Sequence, residues 1–415
     1  MDQDTNHRLT RVGPGTPMGR LLRRYWMPVA GASELLEQPV KPLRLLGEDL
    51  VLYRDLSGRH GLVDRACAHR RADLAFGFVE DHGIRCSYHG WSFDAAGRCV
   101  TRPFEDLGDP DGARRSRVRV KAYPVQEKAG LLWAYLGPDP APLLPDWEIY
   151  SLPNGFVQVV ISEVPCNWLQ CQENSIDPVH FEWTHNNWSM RLEGRTGPYA
   201  PPHQELGFEE FEHGLIYRRL RGAATKGDPL WRIGRVCLWP NGFFLGEHFE
   251  WRVPVDDENT LSVCWFFTRV PREAEPYEQD RIPTWRGPVR DAQGRWITSH
   301  VINQDFAAWA GQGRIADRTH ETLGHSDRGI VMLRQRLLAD MAAVEEGRDP
   351  SGLVRDPARN HRIPLPAAER EFLLDGLPRD ELLRHPVWRA HFEGFRFAYG
   401  QPADVRDQFR RACGL

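Results

Sequence analysis

An α+β fold is predicted, in which a small antiparallel β unit precedes a larger unit of mixed strands and helices. Three observations predict it. Between Val40 and Gly137 the chain reads as short strand-like runs broken by turn residues. Pro138, Pro140, Pro142 and Pro145 then form a stretch that cannot donate into a sheet and marks a boundary. Beyond it, strand-like runs alternate with helical periodicity. The 415 residues suffice for more than one core, and the composition, 41% hydrophobic and 27% charged, is that of an ordinary globular protein without repeats or low-complexity tracts.

Taken in order, Gly13 to Pro17 is a turn cluster opening a short helix, Met18 to Tyr25, with Thr16 as N-cap and Pro17 in the first turn. The β unit follows, with strand-like runs at Leu43 to Arg54, Gly61 to Asp64, Ile84 to Tyr88, Ser92 to Asp94, Gly97 to Val100 and Gly130 to Leu136. In the second unit the reading is strand at Phe156 to Val164, helix at Trp168 to Thr184, and strands near Leu215 to Arg221, Trp231 to Phe244 and Thr260 to Arg269. Helices are read at Arg295 to Ala310 and Asp327 to Glu346. The last has Ile330, Leu333, Leu337 and Met341 at helical spacing, Ser326 as N-cap and Gly347 as stop. That apolar stripe is core.

Chemistry concentrates in two places. Cys67-Ala68-His69 is followed, after sixteen residues, by Cys86-Ser87-Tyr88-His89. Two soft thiolates and two imidazoles in matched halves are the ligand set of a Rieske [2Fe-2S] centre, in which Cys holds one iron and His the other. Zinc Cys2His2 sites instead space their paired cysteines by two to four residues and their paired histidines by three to five, whereas each pair here is mixed. The antiparallel pattern puts both pairs on hairpin tips, suited to handing an electron outward.

The second place is Asn167 to His185, NWLQCQENSIDPVHFEWTH, where Asp177, His180 and His185 supply a carboxylate and two imidazoles. Two His and one carboxylate on one face of Fe(II) leave positions free for O2 and substrate. Asp177 and His180 share a helix face. His180 and His185 would diverge by about 140° on an ideal α-helix, and a π-bulge or a bend between them would realign them.

The segments C-x-H-R and C-x-Y-H-G-W, with E-N-x-x-D-x-x-H-x4-H downstream, resemble those of Rieske non-haem iron oxygenase α subunits, and GPGTPMGRLLRRYWMPV with QGRIADRTHETLGHSDRGI resembles the phthalate dioxygenase-like branch. The resemblance extends to about Gly347. One departure stands out: Arg71 occupies a position where the family usually has Gly. The resemblance implies an N-terminal all-β Rieske domain followed by a helix-grip catalytic domain with antiparallel sheet and helices. The expected organisation is residues 1–39 as a helical segment packing on the catalytic domain, 40–145 as the Rieske domain and 146–415 as the catalytic domain. It implies that Cys67, His69, Cys86 and His89 hold the cluster and that His180 and His185 hold a mononuclear Fe(II). Asp305 is the best candidate for the third ligand, with Asp317, Glu321 and Asp327 as rivals. It further implies catalytic parts for Asn174 and for Asp177, the latter as the carboxylate through which a neighbouring subunit's cluster delivers its electron in a homotrimer.

The activity so implied is that of a terminal oxygenase using O2 on an aromatic, carboxylated substrate, by ring dihydroxylation or by monooxygenation with O-demethylation. Arg235, on the strand-like Trp231 to Leu238, is the candidate clamp for a carboxylate. Trp183, Trp188, Phe243, Phe244, Trp265, Phe266 and Trp309 could line an aromatic pocket. No Gly-x-Gly-x-x-Gly dinucleotide fingerprint appears, and the resemblance implies a separate NAD(P)H-dependent reductase carrying flavin and an iron–sulfur centre. A formal net charge of -4 argues against nucleic acid. The polar Met1 to Arg11 and the lack of an eighteen-residue apolar run lead to the expectation of a cytoplasmic protein without membrane association. Two other classes compete, an electron carrier alone and a zinc-stabilised binding protein.

Overall fold

The computed structural model describes residues 1–374, 377–378 and 400–415. The expected catalytic region, 146–415, therefore includes positions outside the described residues. Its centre is an eight-stranded sheet ordered His203–Phe211, Gly214–Arg221, Arg235–Leu238, Gly242–Phe244, His248–Pro254, Thr260–Arg269, Gly155–Val164, Thr284–Arg286. Neighbours are antiparallel except the last pair. The N-terminal β unit comprises one four-stranded sheet from Val40–Leu45, Glu48–Arg54, His60–Asp64 and Ala122–Tyr123, and a second from Phe78–Glu80, Gly83–Arg85, Ser92–Phe93 and Cys99–Thr101. A three-stranded sheet joins Met27–Gly31 to Leu131–Ala134 and Val125–Lys128.

Strand alternation decides which core each residue enters. On Glu48–Arg54, Leu50 and Leu52 point into the large core shared with the eight-stranded sheet, whereas Val51 and Tyr53 point into a smaller core built around Cys67, Cys86, Trp91 and Phe93. One strand thus welds the β unit to the rest.

Four sequence expectations are corrected. Leu43 to Arg54 is not one strand but a hairpin turning at Leu46 and Gly47, both at positive φ, 49° and 77°. Such a two-residue turn ordinarily takes Asn or Gly; Leu46 is accepted because it is fully buried and its N–H donates to the Pro254 carbonyl. Trp231 to Phe244 breaks into the short helix Pro229–Arg232 and two strands, so Ile233 does not share a strand face with Arg235. Asp327, not Ser326, occupies the N-cap of Arg328–Glu345, since Ser326 lies inside the turn His325–Asp327. Trp168 to Thr184 is not one helix. It stops at Asn174, because Asp177 precedes Pro178 and is biased away from helical backbone, and restarts as His180–Glu182, the π-helical turn Trp183–Trp188 and Ser189–Leu192.

The helix Pro17–Leu22 is capped as read, the Thr16 hydroxyl accepting from the Gly19 N–H at 3.1 Å. The helix Trp168–Asn174 is fixed from both ends. Asn167 caps it, accepting from Leu169 N–H at 3.0 Å. Near its far end the buried Glu173 accepts from Arg318 at 2.7 Å and from Arg334 at 2.7 Å, which ties this helix to Arg328–Glu345. Among the described residues no helix is long and apolar enough to cross a membrane.

Candidate metal centres

The cysteine–histidine pairs sit on two turns closed in the same way. In the first, Cys67 N–H donates to Ala72 carbonyl at 2.8 Å and Arg71 N–H donates to Cys67 carbonyl at 3.0 Å. In the second, Cys86 N–H donates to Trp91 carbonyl at 2.8 Å and Gly90 N–H donates to Cys86 carbonyl at 3.0 Å. The fifth residue of each turn is left-handed, Arg71 at φ 61° and Gly90 at φ 73°. This explains why glycine is usual at the Arg71 position: a side chain there is strained by about 1–2 kcal/mol.

The four side chains converge. The His69 and His89 ring centroids are 4.6 Å apart, and His69 stacks on Trp91 at 4.5 Å. Trp91 is held in turn by a hydrogen bond to Glu105 at 3.1 Å. Cys67 and Cys86 are buried and interact with each other, and burial pushes the Cys67 thiol up to about 11. A thiolate here needs a cation beside it. The buried Nδ1 of His69 has no hydrogen-bond partner, and His89 is exposed. Two thiols, an orphaned imidazole nitrogen and a solvent-facing imidazole fit a [2Fe-2S] cluster with an exposed edge.

His180, His185 and Asp305 form the second group, their ligand atoms all within 4.8 Å of one another. The π-turn is what makes this possible: its wider winding brings His185 round to the side of His180. His185 Nε2 lies 3.3 Å and His180 Nε2 3.8 Å from Asp305 Oδ1. Asp305 comes from the helix Val301–Gly311 and also accepts from the Asn174 amide at 3.3 Å. Asn174 therefore positions the carboxylate. His180 Nδ1, buried and without a hydrogen bond, faces Asp177 Oδ2 at 3.6 Å. The three rivals of Asp305 are engaged elsewhere: Asp317 with Thr319 and His320, Glu321 with Arg334, Asp327 with the Gly324 N–H.

Electrostatics favour a cation at this place. Burial pulls His185 down, but Asp305 and the Gln304 hydrogen bond outweigh it and hold the imidazole above its ordinary value. Burial would raise the Asp177 carboxyl, but His180 and the backbone N–H groups of Val179 and His180 outweigh it and hold it low. On the sheet, Glu250, which adds its charge to the upward pull on His185, is brought to about 2 against the pull of burial, by Arg252 at 2.7 Å and His248 at 3.1 Å. Arg252 stacks on Trp309 at 4.7 Å and so ties the sheet to the helix that carries Asp305. Sequence reading missed the Glu250 network and the part played by Gln304; the adjacency of Gln304 to Asp305 was its one available signal.

Arg235 is not a free clamp. Its Nε donates to Glu369 at 2.6 Å, and together with Arg219 it lies on the faces of Phe181, at 4.8 and 4.5 Å. Of the aromatic residues considered, Phe243, Phe244, Trp265 and Trp309 are core, whereas Trp183 and Trp188 are exposed. A cavity of about 1090 Å³ opens beside His185 and Gln304, bounded by Met190, Tyr199, Ser299 and Val301.

With this geometry in place, comparison with known proteins is direct. Residues 25–124 match the family described as the Rieske [2Fe-2S] domain, and residues 249–364 match that described as LigXa C-terminal domain like. The chain is 58% identical to the 5,5'-dehydrodivanillate O-demethylase oxygenase subunit of Sphingobium sp. (strain NBRC 103272 / SYK-6), over 98% of this chain and 95% of that one. It is 31% identical to the phthalate 4,5-dioxygenase oxygenase subunit of Pseudomonas putida, over 84% of this chain and 88% of that one. The terminal oxygenase of carbazole 1,9a-dioxygenase from Novosphingobium sp. KA1 shares the fold, with a TM-score of 0.55 at 22% identity over 80% of this chain and 96% of that one. The chain belongs to the Rieske non-haem iron oxygenases, in the phthalate dioxygenase-like group of oxygenase subunits. It is a terminal oxygenase component with a Rieske cluster and a mononuclear iron, neither a bare electron carrier nor a zinc-stabilised binding protein.

Proposed function

We propose that this enzyme removes a methyl group from a methoxylated aromatic acid of the dehydrodivanillate type, at a ferrous ion held by His180, His185 and Asp305, with electrons supplied through a cluster held by Cys67, His69, Cys86 and His89. The observation that carries the reading is the 58% identity, over 98% of the chain, to an O-demethylase oxygenase subunit. When bound, the iron supplies a site for O2 and the cluster supplies single electrons. One oxygen atom enters the methyl C–H bond and the resulting hemiacetal collapses to a phenol and formaldehyde, while two electrons and two protons reduce the other atom to water.

The chain's own residues set the conditions. Asn174 holds Asp305, and Asp177 faces His180 while keeping 27% of its side chain exposed, as a carboxylate relaying an electron from a neighbouring subunit requires. The cavity beside His185 matches the upper range of small-molecule sites and accommodates a two-ring acid. Apolar side chains exposed beside each metal site, Tyr88 and Phe104 on the β unit and Trp183, Trp188 and Tyr199 near the π-turn, support a head-to-tail homotrimer. The residue ranges 1–39, 40–145 and 146–415 remain the working division into segments. A separate reductase delivers the electrons, and eight buried, unpaired cysteines suit a cytoplasmic setting.

The test is anaerobic purification with iron and sulfide counting, followed by oxygen uptake and formaldehyde release with a surrogate reductase. 5,5'-Dehydrodivanillate, vanillate and phthalate are compared. Formaldehyde in step with oxygen uptake on the methoxylated acids supports the reading, and ring diols from phthalate without formaldehyde from either methoxylated acid overturn it.

A further inference from the structure

His185 Nδ1 lies 3.1 Å from Gln304 Oε1. The oxygen and nitrogen of a side-chain amide are told apart by their partners. Here the other end of the amide lies 3.0 Å from the Thr298 carbonyl oxygen and 2.7 Å from the Ser189 hydroxyl. A carbonyl only accepts, so the atom facing it is the NH2 and the atom facing His185 is the oxygen. That oxygen also only accepts. His185 Nδ1 must therefore carry a proton, which leaves Nε2 as the ring nitrogen that meets Asp305 Oδ1, 3.3 Å away. That nitrogen meets the carboxylate through a second ring proton when no metal is bound and is free to ligate once the proton is displaced by a metal ion.

We propose that Gln304 is a positioning residue that locks His185 in its Nδ1–H form and fixes the ring's orientation, so that Nε2 is placed to ligate before any metal arrives. This rests on the reading of His180, His185 and Asp305 as the ferrous site. Gln304 is buried and lies next to Asp305, so one helix both contributes a ligand and orients another on a different segment. Its bond to Ser189 clamps the helix to the turn just beyond the π-segment. The two imidazoles are thus held by different chemistry: His180 faces the Asp177 carboxylate, whereas His185 faces a neutral amide. Ring partners of this kind are worth about 10–100-fold in metal affinity.

The experiment uses the full chain with its cluster intact and the mononuclear metal removed, titrated with Co(II) alone against a competing chelator. Gln304→Leu is expected to weaken Co(II) binding about 10–100-fold, and Ser189→Ala, which frees one end of the amide, about five-fold. In the Co(II)-loaded wild type, His185 contributes a metal-shifted, solvent-exchangeable ring N–H resonance. That signal is expected to vanish into exchange in Gln304→Leu while the His180 signal persists, a pattern that general loosening of the fold does not give. Should Gln304→Leu not fold, the affinity and exchange rate of Ser189→Ala decide. Unchanged affinity and a retained His185 resonance in the variants overturn the inference. If His185→Ala binds Co(II) as tightly as the wild type, the ferrous-site reading fails and this inference with it.

Discussion

The two metal sites of this chain are built by opposite means. The cluster turns are local: each is closed by two backbone hydrogen bonds within six residues, and the second nearly repeats the first. The proposed ferrous site is assembled from distant pieces, since Asn174 and His185 meet Asp305 and Gln304 across more than a hundred residues. A local site depends on turn chemistry, whereas an assembled site depends on the packing of helices that the buried Glu173 holds in place. Damage to that packing should therefore reach the ferrous site first.

The sharpest way to separate the regions is to remove a ligand from one. Asp305→Ala or His185→Ala is expected to abolish oxygen uptake, a loss of about 10³-fold or more, while the visible spectrum and sulfide content of the cluster stay unchanged. Cys86→Ser should do the reverse, losing the cluster's colour while one ferrous ion still binds. If Asp305→Ala also bleached the cluster, the separation would be wrong.

Next in size is the support beneath the ferrous site. Glu173→Gln leaves two buried guanidinium groups short of a carboxylate, at a cost of about 3–5 kcal/mol, read by denaturant unfolding. The sign with pH follows from the same pair. Burial would raise the Glu173 carboxyl, but Arg318 and Arg334 outweigh it and hold it below its ordinary 4.5. Its contribution is therefore complete above about pH 4.5 and lost as pH falls through the lower folded value. The wild type should show this acid-side loss, and Glu173→Gln should lack that component.

Asp177→Asn tests the link between the regions. Both metals should load, with turnover down about 100-fold or more, and stopped-flow oxidation of the reduced cluster should show the missing electron transfer. Full activity would remove Asp177 from the path. The smallest expected effect lies in the local site: Arg71→Gly relieves a left-handed arginine and should stabilise the β unit by about 0.5–1 kcal/mol. A loss of stability there would mean that the Arg71–Asp64 pair, 3.4 Å long and largely exposed, matters more than the backbone.

Much of the local site was legible in the chain. Cys67, His69, Cys86 and His89 announce themselves because their geometry is set by residues close in sequence, and strand alternation and turn residues outlined the β unit around them. The hairpin at Leu46–Gly47 was not legible, because an apolar residue fills a turn position that burial alone makes tolerable. The run from Trp168 to Thr184 likewise read as one helix, since a π-turn leaves little trace in side-chain periodicity beyond the unexpected spacing of the two histidines.

The sequence by itself determined the fold class, the two cysteine–histidine turns proposed to hold the cluster and the need for a distortion between His180 and His185, because these depend on residue type and short-range spacing. Only the tertiary structure decided which carboxylate joins the histidines, that Arg235 belongs to Glu369, and that Gln304 faces His185. Those outcomes turn on which helix faces pack together, a matter of long-range burial and charge compensation that no window of neighbouring residues encodes.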